Sequence, residues 1–321
     1  MGSVKDLEIT KEPTKNEEGV GVFEFSGRYS IFDYGEMPDE IEGKGEALCL
    51  MSAHNFKELE KEGIKSHFIE LDGNNSMKVK VVNVITEGTP DEFKNMMVPL
   101  EIIYRNILGE GSSVFRRLKK GEIEPSDLGF DSYPEVNKEL DPPIIDFSTK
   151  YETFDRYFKN LDEVKEHAGF DDEMIDVIKD LALKVNGFIN ERAKELGWMH
   201  LDGKMEVALD KNGELMLADV LGTLDEDRFE YKGLKLSKQM LRNYYRGTEW
   251  EKEMDRVKDE DLPKEEWPEP PKMPKRLIDF VSDMYKAACN EWTGEKHFDV
   301  KSLDELIEED HKELKEQGLI K

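Results

Sequence analysis

Residues 198–228, WMHLDGKMEVALDKNGELMLADVLGTLDEDR, hold the densest set of side chains able to do polar chemistry. Side chains on one face of a β-strand recur every second residue. Asp202, Lys204 and Glu206 therefore share a face, and Met205 and Val207 point the other way, toward a core. On the next strand Leu217 and Asp219 share a face. A turn at Lys211-Asn212-Gly213 brings Glu206 and Asp219 near each other across the ladder. Two carboxylates and a lysine beside otherwise apolar strands are costly unless something compensates them. Two readings stay open. Either the face is solvated, as on any half-exposed hairpin, or it holds a divalent cation. Mg²⁺ suits the second, since it takes one or two carboxylates and fills its shell with water and nucleotide phosphates.

Arginine is scarce beside lysine, so its positions are informative. Arg28 lies in SGRYSIFD, Arg105 ends VPLEIIYR, Arg228 follows an acidic loop, and Arg242 sits in LSKQMLRNYY. Guanidinium forks suit phosphates and carboxylates; the alternative is salt bridging to the many acidic side chains. The 321 residues include 73 Asp plus Glu against 46 Lys plus Arg, a formal charge of −27. Such a surface repels nucleic acid and anionic membrane, and still allows a local basic pocket for a phosphate. The histidines show no ligand spacing, and no GxSxG, HExxH or Walker A frame occurs, which argues against nucleophilic catalysis and zinc hydrolysis. Cys49 and Cys289 are the only cysteines, so a reducing cytoplasm is the simpler setting. No apolar leader or 20-residue apolar span is evident, which predicts a soluble protein.

The elements that must position these groups follow from periodicity. Leu7–Thr10, Val20–Phe25, Met77–Ile85 and Val98–Arg105 read as strands, and Ala47–Glu62 has helical spacing. The first hundred residues thus predict an antiparallel sheet with a helix laid on it. A Gly/Ser turn at Gly109–Ser113 precedes the basic run FRRLKK, and Asp141–Pro143 is expected to stop whatever precedes it. Asp171–Leu196 is a long amphipathic helix with Met174, Ile178, Leu181, Val185, Phe188 and Ile189 on its apolar stripe, closed by Gly197. The hairpin Met205–Leu209 and Leu215–Val220 follows, then helix over Leu236–Tyr245. A Pro- and charge-rich linker spans Asp259–Lys275, and helices cover Ile278–Asn290 and Leu303–Gln317.

Taken in order, SGRYSIFD, EGKGEALCLMSAHNF, VPLEIIYRNILGEGSSVFRRL, DPPIIDFSTK, LDGKMEVALDKNGELMLADVLGTLDEDRF and SKQMLRNYYR resemble the SAICAR synthetase family across roughly residues 5–250. The tail WPEPPKMPKRLIDFVSDMYKAACNEWTG is similar to the extended C-terminus of archaeal-type members. The resemblance implies an α+β, two-lobed fold related to ATP-grasp enzymes and kinases. Its β-rich nucleotide-binding lobe would span 1–106, a larger α+β substrate and metal lobe 107–258, and a linker with helical extension 259–321. It implies an ATP-dependent ligase of purine biosynthesis that joins L-aspartate to carboxyaminoimidazole ribotide (CAIR) through an acyl phosphate.

The same resemblance implies the site. Glu206 and Asp219 would hold Mg²⁺. Lys11, Glu101 and Asp219 would face the ATP; Lys204 and Asp202 would be catalytic, Asp202 as proton acceptor. Arg105, Ser112, Lys150, Arg228, Lys238 and Arg242 would bind the ribotide and amino acid. Partners would be these small molecules, with neither nucleic acid nor membrane, and self-association into a homo-oligomer stays open. Three positions depart from the family pattern: Thr10-Lys11-Glu12-Pro13 lacks a second basic residue, Gly27 replaces an acid, and Val220 replaces a glutamate after Asp219. A related ligase with another amine or azole acid, or an inactive binding paralogue, are the alternatives.

Overall fold

The computed structural model describes residues 4–32, 34–86, 90, 92–152, 155–260 and 262–320. Asp33, the last residue of SGRYSIFD, and Asp261 in the linker lie outside them.

The N-terminal part is an antiparallel sheet in the order β1-β2-β4-β3, built from β1 (Lys5–Lys11), β2 (Gly19–Phe25), β3 (Phe68–Leu71) and β4 (Ser76–Val81). Helix α1 (Lys44–Lys61) covers it with Leu48, Met51, Phe56 and Leu59, all buried. This is the sheet-and-helix unit expected from periodicity. Gly27 has no room for the family's acid: a Cβ there would lie 2.6 Å from the Ile41 carbonyl oxygen.

The strand predicted over Val98–Arg105 belongs to a second sheet. Here β5 (Met96–Met97) is followed by β6 (Leu100–Leu108), α2 (Ser113–Lys120), β7 (Lys138–Thr149), α3 (Leu161–Ala168), α4 (Asp172–Glu195) and β8 (Met199–Leu209). Then come β9 (Leu215–Ala218), β10 (Asp227–Tyr231), β11 (Leu234–Leu236), α5 (Gln239–Tyr245), α6 (Glu249–Asp259) and α7 (Lys275–Thr293). The sheet runs β11-β10-β8-β6-β7, with β5 and β9 also on β8. Strand β8 is its axis. Residues 199–203 pair with β10 and 202–205 with β6, whereas 206–209 pair with β9 and 208–209 with β5, so β8 passes from one pair of partners to another beyond Met205. A bridge from Ser66 to Leu217 ties β9 to the N-terminal sheet. The acidic–basic alternation of β8 thus crosses the junction of the two parts.

Two expectations need correction. Asp141–Pro143 does not end an element: β7 runs from Lys138 to Thr149. It is the sheet's outer strand, and its register with β6 jumps from Ile144 opposite Arg105 to Glu139 opposite Ile107. The prolines occupy this irregularity, where a missing N–H breaks no ladder bond. The run FRRLKK is not merely a basic segment but most of α2, capped by Ser112, with Arg117 turned inward and buried.

Helix α4 starts at the Asp171 cap, and its buried face is Ile175, Ile178, Ala182, Val185 and Ile189; Met174, Leu181 and Phe188 flank it half-buried. Helix α7 packs against α1, and Leu277, Val281, Met284, Ala288 and Trp292 join the same core as α1 and α4. Residues 303–316 form one helix with a π turn at its centre. No helix of the described residues is long and apolar enough to cross a membrane.

Candidate active site

Two cavities meet at β8. The first, about 680 Å³, lies between β1, β2 and β4 on one side and β8 and β9 on the other. Its walls are apolar, with Val79, Val82, Met97 and Met216, and one end is ionic, with Lys5, Lys150, Glu206 and Asp219. The second, about 390 Å³, is lined by charge: Glu101, Arg105, Asp202, Lys204, Asp225, Glu226, Arg228, Lys238 and Arg242.

Glu206 is buried and pairs with Lys150 at 2.5 Å and Lys204 at 3.8 Å. Burial and the neighbouring Asp219 push its carboxyl above the ordinary range. Asp219 does not stand where simple alternation puts it. Glu206 faces Ala218 across the ladder, so by parity Asp219 would lie with Leu217 and Val207 on the opposite face. Strand β9 ends at Ala218, and Asp219 turns out of it in the left-handed region, at φ 61°. That turn brings its carboxylate into the cavity with Glu206. Burial works to raise the Asp219 carboxyl, but Lys5 at 2.7 Å outweighs it and holds the group below its usual value. The buried His67 grips the turn, its Nε2 3.0 Å from the Asp219 carbonyl oxygen. A carbonyl only accepts, so Nε2 carries the proton. The glutamate missing after Asp219 leaves a core residue, because Val220 packs inside.

Lys204 donates to Glu101 at 2.6 Å and lies 3.4 Å from Glu226. Burial opposes its charge, but Glu226, Glu101 and Glu206 prevail and hold its proton well above the ordinary lysine range. Glu101 also accepts from the Ser148 hydroxyl. Asp202 is gripped by both the Nε and Nη2 of Arg228, with Arg105 at 3.6 Å. Arg105 is buried; it donates to Asp146 and to the Ser113 hydroxyl, both at 3.1 Å, and its guanidinium lies over the Tyr157 ring. Asp146 also accepts from Arg117 at 2.6 Å, which fixes it as the backing of Arg105. Enclosure draws Lys238 below the ordinary lysine range, against the pull of Asp225 and Glu226.

Ten of the expected site residues thus line these two cavities: Glu101, Arg105, Lys150, Asp202, Lys204, Glu206, Asp219, Arg228, Lys238 and Arg242. Two do not stand as expected. Lys11 is at the far end of β1, more than half exposed, and pairs with Glu17 at 3.3 Å. Lys5, six residues earlier on the same strand, is the lysine at the carboxylates. Alternation alone could not choose between the ends of β1. Ser112 is buried as the cap of α2, accepting from the Val114 N–H, and it is Ser113 that reaches Arg105 and the cavity wall. Arg28 follows the salt-bridge reading, bound to Asp6 at 2.5 Å. Sequence reasoning also missed His67, Asp146, Tyr157, Asp225 and Glu226; Asp146 lies in DPPIIDFSTK and Asp225 and Glu226 in the LDEDR stretch, whereas nothing local marks His67 or Tyr157.

The two carboxylates are a donor set for a hard cation. Among the described residues no three His, Cys, Asp or Glu side chains gather into a preformed metal cluster. Glu206 and Asp219 offer two oxygen ligands beside lysines, which fits Mg²⁺ completed by water and phosphate oxygens.

A profile described as SAICAR synthetase matches residues 11–257. The chain is 44% identical, over 96% of its length and 98% of the relative's, to an Archaeoglobus fulgidus protein provisionally named phosphoribosylaminoimidazole-succinocarboxamide synthase. It is 36% identical to the synthase of that name from Thermoplasma acidophilum, over 86% of this chain and 93% of the relative. Among solved structures, a SAICAR synthetase in complex with ADP superposes with TM-score 0.63 at 25% identity, covering 93% of this chain and 99% of that one. A SAICAR synthase from Saccharomyces cerevisiae shares the fold with TM-score 0.64 at 22% identity, over 92% of this chain and 94% of that one. With these matches and the cavity pair about β8, the chain belongs to the SAICAR synthetase family.

Proposed function

We propose that the chain joins L-aspartate to CAIR with hydrolysis of ATP, giving SAICAR, ADP and phosphate. The observation that carries this reading is the placement of β8. One strand presents Glu206 to an apolar cavity and Asp202 and Lys204 to a charged one, so a nucleotide and an anionic acid can meet across it. In this reading the nucleotide base lies among Val79, Val82, Met97 and Met216, and its phosphates reach Lys5 and Lys150. The N-terminal sheet of β1, β2 and β4 forms one wall and the sheet about β8 the other, so the boundary expected at residue 106 falls inside β6 of the second sheet, and α7, in the segment 259–321, packs on α1. Glu206 and Asp219 would hold Mg²⁺, which neutralises phosphate charge when bound.

A carboxylate is a poor electrophile because its leaving group would be oxide. Phosphorylating the CAIR carboxylate supplies a good leaving group, and the amine of aspartate then attacks the acyl phosphate. The protein's work is positioning and charge neutralisation. Arg105, backed by Asp146, and Arg228 bind the ribotide, Ser113 taking the place expected of Ser112. Lys204 lines the charged cavity 3.8 Å from Glu206 of the other, and its firmly held proton stabilises the transferring phosphoryl group. Asp202, doubly gripped by Arg228, orients that arginine. Such an enzyme works in the cytoplasm on small molecules.

The test is ADP and amide formation by the purified chain with ATP, CAIR and each of a panel of amino acids. L-Aspartate is the expected substrate, with L-glutamate poorer and L-alanine poorest. Equal or faster product from another amino acid would replace this reading with that of a related ligase.

A further inference from the structure

Among the described residues six that are not glycine hold a left-handed backbone: Phe32, Asn95, Asn137, Tyr151, Asp219 and Lys232. Two of them, Asp219 at φ 61° and Tyr151 at φ 76°, line the ionic end of the apolar cavity. For Asp219 the turn brings its carboxylate into that cavity. For Tyr151 the fold supplies no such reason. A bulky side chain is strained in this region, where glycine is at ease. Burial offsets little of the strain, because Tyr151 is 40% exposed and joins neither of the apolar clusters.

What holds the ring is charge. The ammonium of Lys150 lies 5.1 Å from the centre of the Tyr151 ring and also pairs with Glu206. A cation is attracted to an aromatic face, so ring, ammonium and carboxylate form a row. Tyr151 is 40% exposed, the Lys150 side chain 19% and the Glu206 side chain 5%. The row therefore runs from solvent inward, with the ring at its outer end. The hydroxyl itself is enclosed: burial first, then the Glu206 and Asp219 charges, hold its proton above the ordinary tyrosine range. Among the described residues no hydrogen bond contributes to that hold, so the donor is available to a ligand.

Transfer of the terminal phosphoryl group has a competing course. When the CAIR carboxylate attacks, its oxygen bonds to phosphorus as the bond to the ADP oxygen breaks, giving ADP and the acyl phosphate. When water attacks instead, the same bond breaks, the water oxygen bonds to phosphorus, and a proton leaves to solvent. ATP is then spent as ADP and phosphate with no amide formed. The outcome depends on keeping water from the phosphate end. Resting on the ligase reading above, we propose that Tyr151 shields that end of the cavity, its ring covering the Lys150–Glu206 pair and its hydroxyl donating to a terminal phosphate oxygen of ATP. Tyr151 thereby couples ATP use to amide formation.

The test follows ADP and SAICAR together, with the full chain, ATP, CAIR and L-aspartate. The unaltered chain should form them in equal amounts. Tyr151→Gly removes the ring where the backbone suits glycine, so Tm should hold or rise. We expect this variant to form at least about twice as much ADP as SAICAR, and its ADP release without CAIR to rise about tenfold. Tyr151→Phe keeps the ring and loses the donor, so ADP and SAICAR should stay equal while KM for ATP rises about tenfold. Equal ADP and SAICAR from an active Tyr151→Gly, with CAIR-independent release unchanged, overturns the shield. An unchanged KM for ATP in Tyr151→Phe overturns the phosphate contact. A merely structural ring would lower Tm in Tyr151→Gly and leave the two products equal, which also refutes the proposal. If the unaltered chain forms no SAICAR, the ligase reading itself falls, and the role of Tyr151 with it.

Discussion

Gly203, between Asp202 and Lys204, has no space for a side chain, and Gly203→Ala tests how tightly the centre of β8 is built. It pairs in register with Asp227 of β10. A Cβ on residue 203 would stand 1.9 Å from Asp227 Oδ1 and 2.5 Å from Tyr104 Cε2. Relief to even a 3.0 Å contact requires roughly 1 Å of movement in a carboxylate that accepts from Tyr104 at 2.8 Å and lies 2.9 Å from His200 Nε2. All three side chains are buried. Hydrogen bonds to a charged group contribute about 1.5–3 kcal/mol each, and overpacking alone costs about 1–3 kcal/mol. The expected destabilisation is therefore ~3–5 kcal/mol, or roughly 4–8 °C in Tm for a chain of this size. Turnover should fall at least about tenfold, because Asp202 and Lys204 flank the shifted residue. Urea unfolding measures the first quantity and ADP release the second. In an Asp227→Ala background the cost of Gly203→Ala should shrink by ~1 kcal/mol or more, leaving the Tyr104 contact. A cost below about 1 kcal/mol in the unaltered background would refute the close packing at this point.

Three further perturbations address the site. Lys5→Ala should raise KM for ATP at least about tenfold, whereas Lys11→Ala should leave it within about twofold, since Lys11 holds only an exposed pair with Glu17; the reverse order in steady-state kinetics would restore Lys11 to the phosphates. Glu206→Gln should cut kcat by ~10²–10³ and raise the Mg²⁺ needed for half-maximal rate, and near-normal turnover at ordinary Mg²⁺ would remove the metal assignment. His67 is pulled down to about 4 by burial. Its unfolded form binds a proton that the folded form does not between about 6.5 and 4, so this group's stability contribution is full above about 6.5 and is lost as pH falls to about 4. His67→Phe should flatten that part of the pH–stability curve, seen in urea midpoints across the range; an unchanged slope would mean His67 titrates normally.

The chemistry of β8 is legible in the sequence because it is local. Alternation along an extended strand is a property of the backbone, so Asp202, Lys204 and Glu206 had to share a face once the segment was a strand. The α4 helix is legible for the same reason, its boundaries set by the Asp171 cap and Gly197. Prolines mislead at residues 142 and 143 because a proline excludes a central ladder position, not an outer strand with an irregular register, and only the sheet order shows which applies. The ends of β1 are equally ambiguous: Lys5 and Lys11 are both strand-end lysines, and which one meets Asp219 depends on how the N-terminal sheet docks against β9.

Asp219 shows the limit most clearly. Its nearness to Glu206 is expected from the hairpin, yet ladder parity alone would turn it away. A left-handed residue, gripped by His67 and Lys5 from elements about 150 and 210 residues distant along the chain, reverses that outcome. Asp225 likewise reads as one more acid in LDEDR until Lys44 and Tyr285 close on it from α1 and α7. Residue type and short-range period thus determined the strands, the helices and most of the reactive side chains. Which carboxylates are charged, paired and aimed into a cavity was decided by contacts between segments far apart in sequence, because burial and the distance to a counter-charge set those properties and neither is encoded in local spacing.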